Sequence, residues 1–149
     1  MSDSGVELDP QDRDNESTDS VDFEKLPQCI ENNRLYPNEE YWLPTDDTER
    51  HRQRCEHDLF CRSFGERLYQ CPKDPRCALD LGTGGGHWAI DFADKNRNAI
   101  VLGIDIDFQE SAISCPPNAI FEIDDWWDLL HDGRNKNKFD VVHLGSLAG

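Results

Sequence analysis

A glycine-rich segment that contains a carboxylate is the part of the sequence best suited to bind a ligand. It reads Asp80-Leu-Gly-Thr-Gly-Gly-Gly86, the pattern D-x-G-x-G-x-G, between a predicted strand and a predicted helix. Glycines at these places let the backbone turn tightly and approach a ligand without a Cβ in the way. The free N–H groups and the positive dipole end of the helix that follows suit a carboxylate or a phosphate.

The residues around these glycines indicate which ligand is preferred. The dinucleotide fingerprint G-x-G-x-x-G would need glycine at the position occupied by His87. Asp80 would sit poorly against a pyrophosphate, but well near the ammonium and sulfonium groups of S-adenosylmethionine. The charge pattern therefore favours this cofactor over NAD.

Acidic residues follow two further predicted strands. Asp105 stands 19 residues after Gly86, at the end of the second predicted strand. A carboxylate there can accept hydrogen bonds from both ribose hydroxyls of NAD or of S-adenosylmethionine. Asp105 therefore predicts a nucleoside ligand without choosing between the two. Asp124 and Asp125 end the next strand, where either could accept from the adenine amine. The alternatives are that Asp124 caps a short helix and that Trp126 is a core aromatic instead of a partner of the adenine ring.

Four apolar segments predict the strands that position these residues: 77–81, 100–104, 119–123 and 139–144. An amphipathic helix is predicted at about 86–95, with Asp91 and Lys95 as a surface pair. Strands that are apolar on both faces and alternate with helices indicate a parallel sheet in an α/β fold. His143, near the end of the fourth strand, either faces the reacting group or is simply packed or solvated. The sequence identifies no catalytic residue.

The first half of the chain is predicted to form a tail and a cap segment that precede the cofactor-binding domain. Residues 1–24 hold nine acidic residues against one base, which predicts a disordered acidic tail. Residues 25–74 are interpreted as a helical cap segment, and residues 75–149 as a partial cofactor-binding domain. Asp46 is predicted to cap a helix at about 47–69 that Pro72 and Pro75 terminate. The expected aromatic anchors and buried stripe of this segment are Tyr36, Tyr41, Trp42, Cys55, Leu59, Phe60, Phe64 and Leu68.

Charge and cysteine content limit the partners. A formal net charge of -16 argues against nucleic acid and anionic membranes, and no apolar run approaches the roughly 20 residues that cross a bilayer. Met1 is followed by polar residues instead of a basic and apolar leader, so we expect a cytosolic or nuclear protein with six reduced thiols. Two C-x5-C pairs (Cys55 with Cys61, Cys71 with Cys77) are wider than the C-x2-C of common zinc sites, so no metal site is predicted.

Several segments together resemble one family. The run Cys77-Ala-Leu-Asp-Leu-Gly-Thr-Gly-Gly-Gly-His-Trp-Ala-Ile-Asp-Phe-Ala93 is similar to the first motif of fungal class I methyltransferases of the velvet-associated LaeA-like, UMTA type. Val101-Leu-Gly-Ile-Asp-Ile106 and Cys115-Pro-Pro-Asn-Ala-Ile-Phe-Glu-Ile-Asp-Asp125 resemble their second and third motifs. Tyr41-Trp-Leu-Pro-Thr-Asp-Asp-Thr-Glu-Arg50, with His57, resembles their segment before the domain, which places Tyr41, Asp46 and Glu49 in a lid over the cofactor.

The resemblance implies a Rossmann-like methyltransferase fold, here a partial parallel sheet with an N-terminal helical segment. It implies S-adenosylmethionine as cofactor, methyl transfer to a small molecule or a protein, and a role in fungal secondary metabolism or its regulation. The cofactor-binding residues expected on this basis are Asp80, Gly82, Thr83, Gly84, Gly86, Asp105, Ile106, Asp124 and Asp125.

The sequence departs from the family in two places. Gly85 stands where threonine is usual, and Gly145 where arginine is usual. The family normally has three further strands after the segment that ends at Gly149, and these complete the sheet and build the substrate pocket. We therefore expect a truncated domain whose sheet is covered by a partner chain, with a non-catalytic cofactor-binding or interaction module as the alternative to an enzyme.

Overall fold

The computed structural model of the chain describes residues 29–37, 41–71, 74–107, 115–125 and 138–145. Within these ranges the elements are β1 (Cys29–Glu31), β2 (Arg34–Tyr36), α1 (Asp47–Ser63), β3 (Cys77–Leu81), α2 (His87–Lys95), β4 (Ile100–Asp105), β5 (Ala119–Ile123) and β6 (Val141–Leu144). The predicted acidic tail and the helix around Trp126 lie outside the described residues. No described helix is long and apolar enough to cross a bilayer.

The four longer strands form one parallel sheet in the order β5-β4-β3-β6, which confirms the predicted α/β fold. In this register Asp80 of β3 lies between Gly103 of β4 and His143 of β6. Because register partners point to the same face of a sheet, Asp80 and His143 are neighbours by construction. The glycine turn leaves β3 at the same edge at which β4 ends in Asp105.

The helix α2 covers one face of this sheet. Trp88, Ala89, Phe92 and Ala93 pack with Ala78, Ala99 and Val101 in the larger buried cluster. Asn118 closes the far end of this layer, because its side-chain amide donates to three carbonyls, those of Ala93, Asn96 and Ala99. The first core layer is thus held by apolar packing and by one partly buried amide.

The opposite face of the sheet is less covered. Leu79, Leu81 and Ile104 form a smaller buried cluster there. Val142 and Leu144 share this face through the register of β6, and they are 50% and 59% exposed. The prediction that all four strands are apolar and buried on both faces is therefore wrong for β6, and it is also wrong for β5, in which no residue is fully buried.

The N-terminus of α1 is fixed as expected. The Asp46 carboxylate accepts a hydrogen bond from the Glu49 N–H at 3.0 Å and caps the helix. The same carboxylate accepts from Arg34 Nη2 at 2.9 Å, which ties α1 to β2. One side chain therefore joins the start of the helix to the hairpin before it.

The predicted length of α1 is wrong, since the helix ends at Ser63 and not near Tyr69. Gly65 and Glu66 both adopt left-handed backbone angles, with φ of 64° and 62°, and the Glu66 N–H donates to the Cys61 carbonyl at 2.7 Å. This is a glycine-containing C-terminal cap of the kind that commonly ends helices. The glycine, and not the later prolines, sets the boundary.

The predicted buried stripe is wrong at three of its five positions. Cys55 is exposed, and Leu59 and Phe64 are 66% and 56% exposed, whereas Phe60 packs against the core and Leu68 is buried. Helix α1 lies over a cavity, and the residues that it turns inward are mostly polar. Trp42, expected to be an anchor, is 82% exposed.

A short antiparallel hairpin, β1 with β2, replaces the irregular start expected for the cap segment. Asn32 and Asn33 connect the strands, both with positive φ. Asparagine tolerates this conformation better than most residues, and two-residue hairpin loops require it. The Asn-Asn pair is the signal from which this hairpin could have been predicted.

We expect Asp46→Asn to lower stability at neutral pH but not in strong acid. The hydrogen bond from Arg34, followed by the backbone N–H of Glu49, holds the pKa of Asp46 well below its ordinary value of 3.8. The stabilisation is therefore present above pH 3.8 and is lost as the pH falls through the lower folded-state value. Thermal unfolding of both proteins from pH 7 downward measures this. A difference in melting temperature that stays constant in acid would contradict it.

Candidate functional site

A cavity of about 310 Å³ lies between α1 and the carboxyl ends of β3, β4 and β6. Its floor is the glycine turn after β3, and its walls include Asp105, Asp107 and His143. Its roof is formed by Tyr41 and by the inward face of α1. In open α/β sheets ligands bind at this edge, outside the carboxyl ends of the strands.

The glycine turn adopts the backbone that its residues permit. Gly82, Gly84 and Gly86 have φ values of 68°, 52° and 75°. Gly86 begins α2 without a side-chain cap, so the first N–H groups of the helix are left for other acceptors. The Gly84 N–H donates to Asp105 Oδ2 at 2.7 Å, which ties the turn to the end of β4.

Asp80 is the most buried carboxylate of the site, at 1% exposure. Its Oδ1 lies 2.7 Å from Nδ1 of His143, and its Oδ2 accepts from the Thr83 hydroxyl at 2.7 Å. The His143 ring stacks on Trp88, with centroids 4.3 Å apart and an angle of 3° between the planes. His143 is therefore packed, as one of the two alternatives predicted, and its side chain also lines the cavity.

Two carboxylates, those of Asp105 and Asp107, lie at and just beyond the end of β4. Asp105 Oδ1 accepts from the Asp107 N–H at 3.1 Å. Oδ2 of Asp107 is buried and has no hydrogen-bond partner within the described ranges, and burial followed by the charge of Asp105 raises the pKa of this group. A buried acceptor without a partner is costly, so this oxygen is suited to receive a donor from a ligand.

Tyr41 closes the cavity above these carboxylates. Burial, followed by the charges of Asp105, Asp107 and Glu49, raises its pKa to about 12. The phenol therefore stays protonated at neutral pH, where it can donate a hydrogen bond.

Glu49 and Gln53 are two of the residues of α1 that line the cavity. The Gly85 N–H donates to Gln53 Oε1 at 3.0 Å, so the helix contacts the glycine turn directly. Buried Glu49 accepts from Arg52 through three contacts of 2.7–3.0 Å. Gln53 was missed by the sequence analysis, although Glu49, Gln53 and His57 form a polar row at i, i+4 and i+8 on an otherwise charged helix.

The structure brings some of the predicted cofactor residues together and leaves others apart. The cavity is lined by Asp80, Gly82, Thr83, Gly84 and Asp105. Gly86 stands just behind the turn as the first residue before α2, and Ile106 is half-buried beyond β4. Asp124 and Asp125 are exposed after β5 and are not part of the lining. Their role beside an adenine stays a prediction.

The two departures from the family lie at this site. A Cβ on Gly85 would meet the His87 ring nitrogen Nε2 at 3.0 Å. A Cβ on Gly145 would lie 2.6 Å from the Gly82 carbonyl oxygen, a distance that real side chains do not adopt. The segment after β6 therefore approaches the glycine turn closely because residue 145 has no side chain.

Comparison with known proteins agrees with this geometry, since residues 49–147 match a methyltransferase domain. The chain belongs to the methyltransferase domain family. The match begins within α1, so the helix over the cavity and the sheet belong to one matched region. The Rossmann-like fold implied by the family resemblance is confirmed.

Relatives of this methyltransferase-family chain are fungal. It is 38% identical over 109 residues to the secondary metabolism regulator LAE1 of Cochliobolus heterostrophus, an alignment that covers 61% of this chain and 34% of the relative. It is 34% identical over 146 residues to the regulator laeA of Aspergillus flavus, covering 89% and 38%. It is 32% identical over 112 residues to the methyltransferase pytC of Aspergillus terreus, covering 73% and 33%. The LaeA-like assignment is confirmed, and the chain spans about a third of the length of these relatives.

We expect Asp80→Ala to destabilise the domain by about 2–4 kcal/mol, because it leaves His143 and Thr83 without their buried partner. Asp94→Ala, on the exposed side of α2, is the matched control and is expected to cost less than about 0.5 kcal/mol. Urea unfolding followed by circular dichroism gives both values. Equal losses would show that the Asp80 contacts contribute little.

Proposed function

We propose that this chain forms the S-adenosylmethionine-binding part of a methyltransferase that acts in fungal secondary metabolism or its regulation. The observation that carries the proposal is the pairing of a glycine turn with the Asp105 and Asp107 carboxylates across one cavity. The family match supports a methyl donor in general, and the relatives' names support the biological setting.

The charges around the cavity favour a cationic nucleoside over a dinucleotide. Asp80, Asp105 and Asp107 are part of the wall, and a pyrophosphate would be repelled by them. The sulfonium and ammonium of S-adenosylmethionine would be attracted, while its carboxylate suits the N–H groups at the start of α2. The volume of about 310 Å³ is at the lower end of the range for small-molecule sites.

Methyl transfer from a sulfonium requires little acid–base catalysis by the protein. When bound, S-adenosylmethionine would supply an activated methyl group whose leaving group is a neutral thioether, so the acceptor would need little help from an acid or a base. The tasks left to this chain are to bind the donor, orient it and exclude water. Tyr41 covers the cavity and would exclude water, and Gln53, which contacts the glycine turn, would help to orient the donor.

The acceptor and its binding surface belong to this proposal as well. We place the acceptor among small molecules or proteins, because the net charge of -16 repels nucleic acid. We place the protein in the cytosol or nucleus, because all six cysteines are free thiols.

Isothermal titration calorimetry tests the cofactor. We expect S-adenosylmethionine to bind the chain with one site and NAD not to bind. Gly84→Arg is expected to abolish binding, because the side chain would enter the turn at φ 52° and collide with Gln53. Gly65→Arg is the matched control, since Gly65 has a similar φ of 64° but open space around it. Unchanged affinity in Gly84→Arg, or binding of NAD, would contradict the site assignment.

Sedimentation velocity tests the proposed partner surface on β6. The exposed Val142 and Leu144 lie on the outermost strand of the described sheet, and such an edge pairs readily with other chains. We expect the chain to self-associate as its concentration rises, and Val142→Lys to reduce this. A wild-type chain that stays monomeric at high concentration would oppose a partner surface here.

A further inference from the structure

Three potential metal ligands meet where α1 crosses α2, outside the glycine turn. They are Nε2 of His57, Sγ of Cys61 and a carboxylate oxygen of Asp91, and all three atoms lie within 4.8 Å of one another. His57 Nε2 is 2.9 Å from Asp91 Oδ2 and 3.5 Å from Cys61 Sγ. The predicted surface pair of Asp91 with Lys95 is not what forms, because Asp91 turns toward His57 and Lys95 donates to the Glu66 carbonyl.

The spacing of these donors suits a tetrahedral ion. His57 and Cys61 are four residues apart on α1, so they project from the same helix face, and Asp91 faces them from α2. Bound zinc lies about 2.0–2.3 Å from nitrogen, sulfur and oxygen donors, which sets its ligands roughly 3.3–3.8 Å apart. The His57–Cys61 distance of 3.5 Å already falls in this range. The His57–Asp91 contact would lengthen by about half an ångström when an ion replaces the shared proton.

The surroundings favour a transition metal over calcium or magnesium. Cys61 is buried, the His57 side chain is only 9% exposed, and Asp91 is 35% exposed. A thiolate and an imidazole are soft or borderline ligands, which hard cations do not prefer. The partly exposed carboxylate leaves an access path from solvent, and His57 also lines the cavity.

We propose that His57, Cys61 and Asp91 bind one zinc-type divalent ion, with a fourth position for water or another donor. The expectation that all six cysteines are free thiols without a metal would then not hold for Cys61. The ion would fasten α1 to α2 and so hold the roof of the cavity, whether or not the cavity binds S-adenosylmethionine.

Cobalt(II) is the probe that tests this proposal, added to the metal-free full chain under reducing conditions. We expect one equivalent to give a near-ultraviolet thiolate-to-cobalt band together with intense visible bands of tetrahedral cobalt, and zinc to displace both. Cys61→Ser is expected to remove the thiolate band, and Asp91→Asn to weaken binding at least about tenfold.

Cys55→Ser is the matched control. Cys55 lies 3.6 Å from His51 Nε2 in the same i, i+4 arrangement on the same helix, but it is exposed and belongs to no three-donor cluster among the residues that the structure describes. It should leave the cobalt spectrum unchanged. Absence of a thiolate band in the wild type, or its loss in Cys55→Ser instead of Cys61→Ser, would overturn the proposal. Circular dichroism of each variant checks folding, and Asp91→Asn, which alters a partly exposed residue, decides the matter if Cys61→Ser does not fold.

Discussion

The buried carboxylate of Asp80 is the interaction on which the site depends. It lies in the middle of the sheet, and its two oxygens engage Thr83 in the glycine turn and His143 in β6. A buried charge is tolerated only when its hydrogen bonds are made, so the turn and the fourth strand are both constrained by one residue. Gly103 completes the arrangement on the other side, because a Cβ there would collide with Thr83 and Phe121. The motif is therefore part of the core as well as part of the cavity lining.

Local and periodic features of the sequence predicted the sheet well. The strands at 77–81 and 119–123 have the predicted bounds, and α2 begins directly after the glycine motif as expected. β3 and α2 share a buried apolar cluster, which leaves a regular apolar pattern in the sequence, whereas β5 keeps its predicted bounds although none of its residues is fully buried. The cap of α1 was also predictable, because Asp46 acts on the backbone three residues away.

Predictions failed where long-range contacts or a polar environment decide the structure. The inward face of α1 could not be found from an apolar stripe, because Glu49 and Gln53 turn toward a cavity and not toward a core. The pairing of Asp91 with His57 joins residues 34 positions apart, which no local pattern reveals. Asp124 and Asp125 were predicted to lie beside the cofactor because they follow a strand, and they are exposed after β5 and outside the residues that line the cavity.

The close approach of Gly145 to the Gly82 carbonyl also limits which residue can stand directly after β6. A β-carbon at this position would lie 2.6 Å from the carbonyl oxygen of the turn. Any larger residue would therefore require the turn to shift, and with it the Thr83 hydroxyl that contacts Asp80. A side chain added at the end of β6 would in this way disturb the hydrogen bonds of the buried carboxylate in β3.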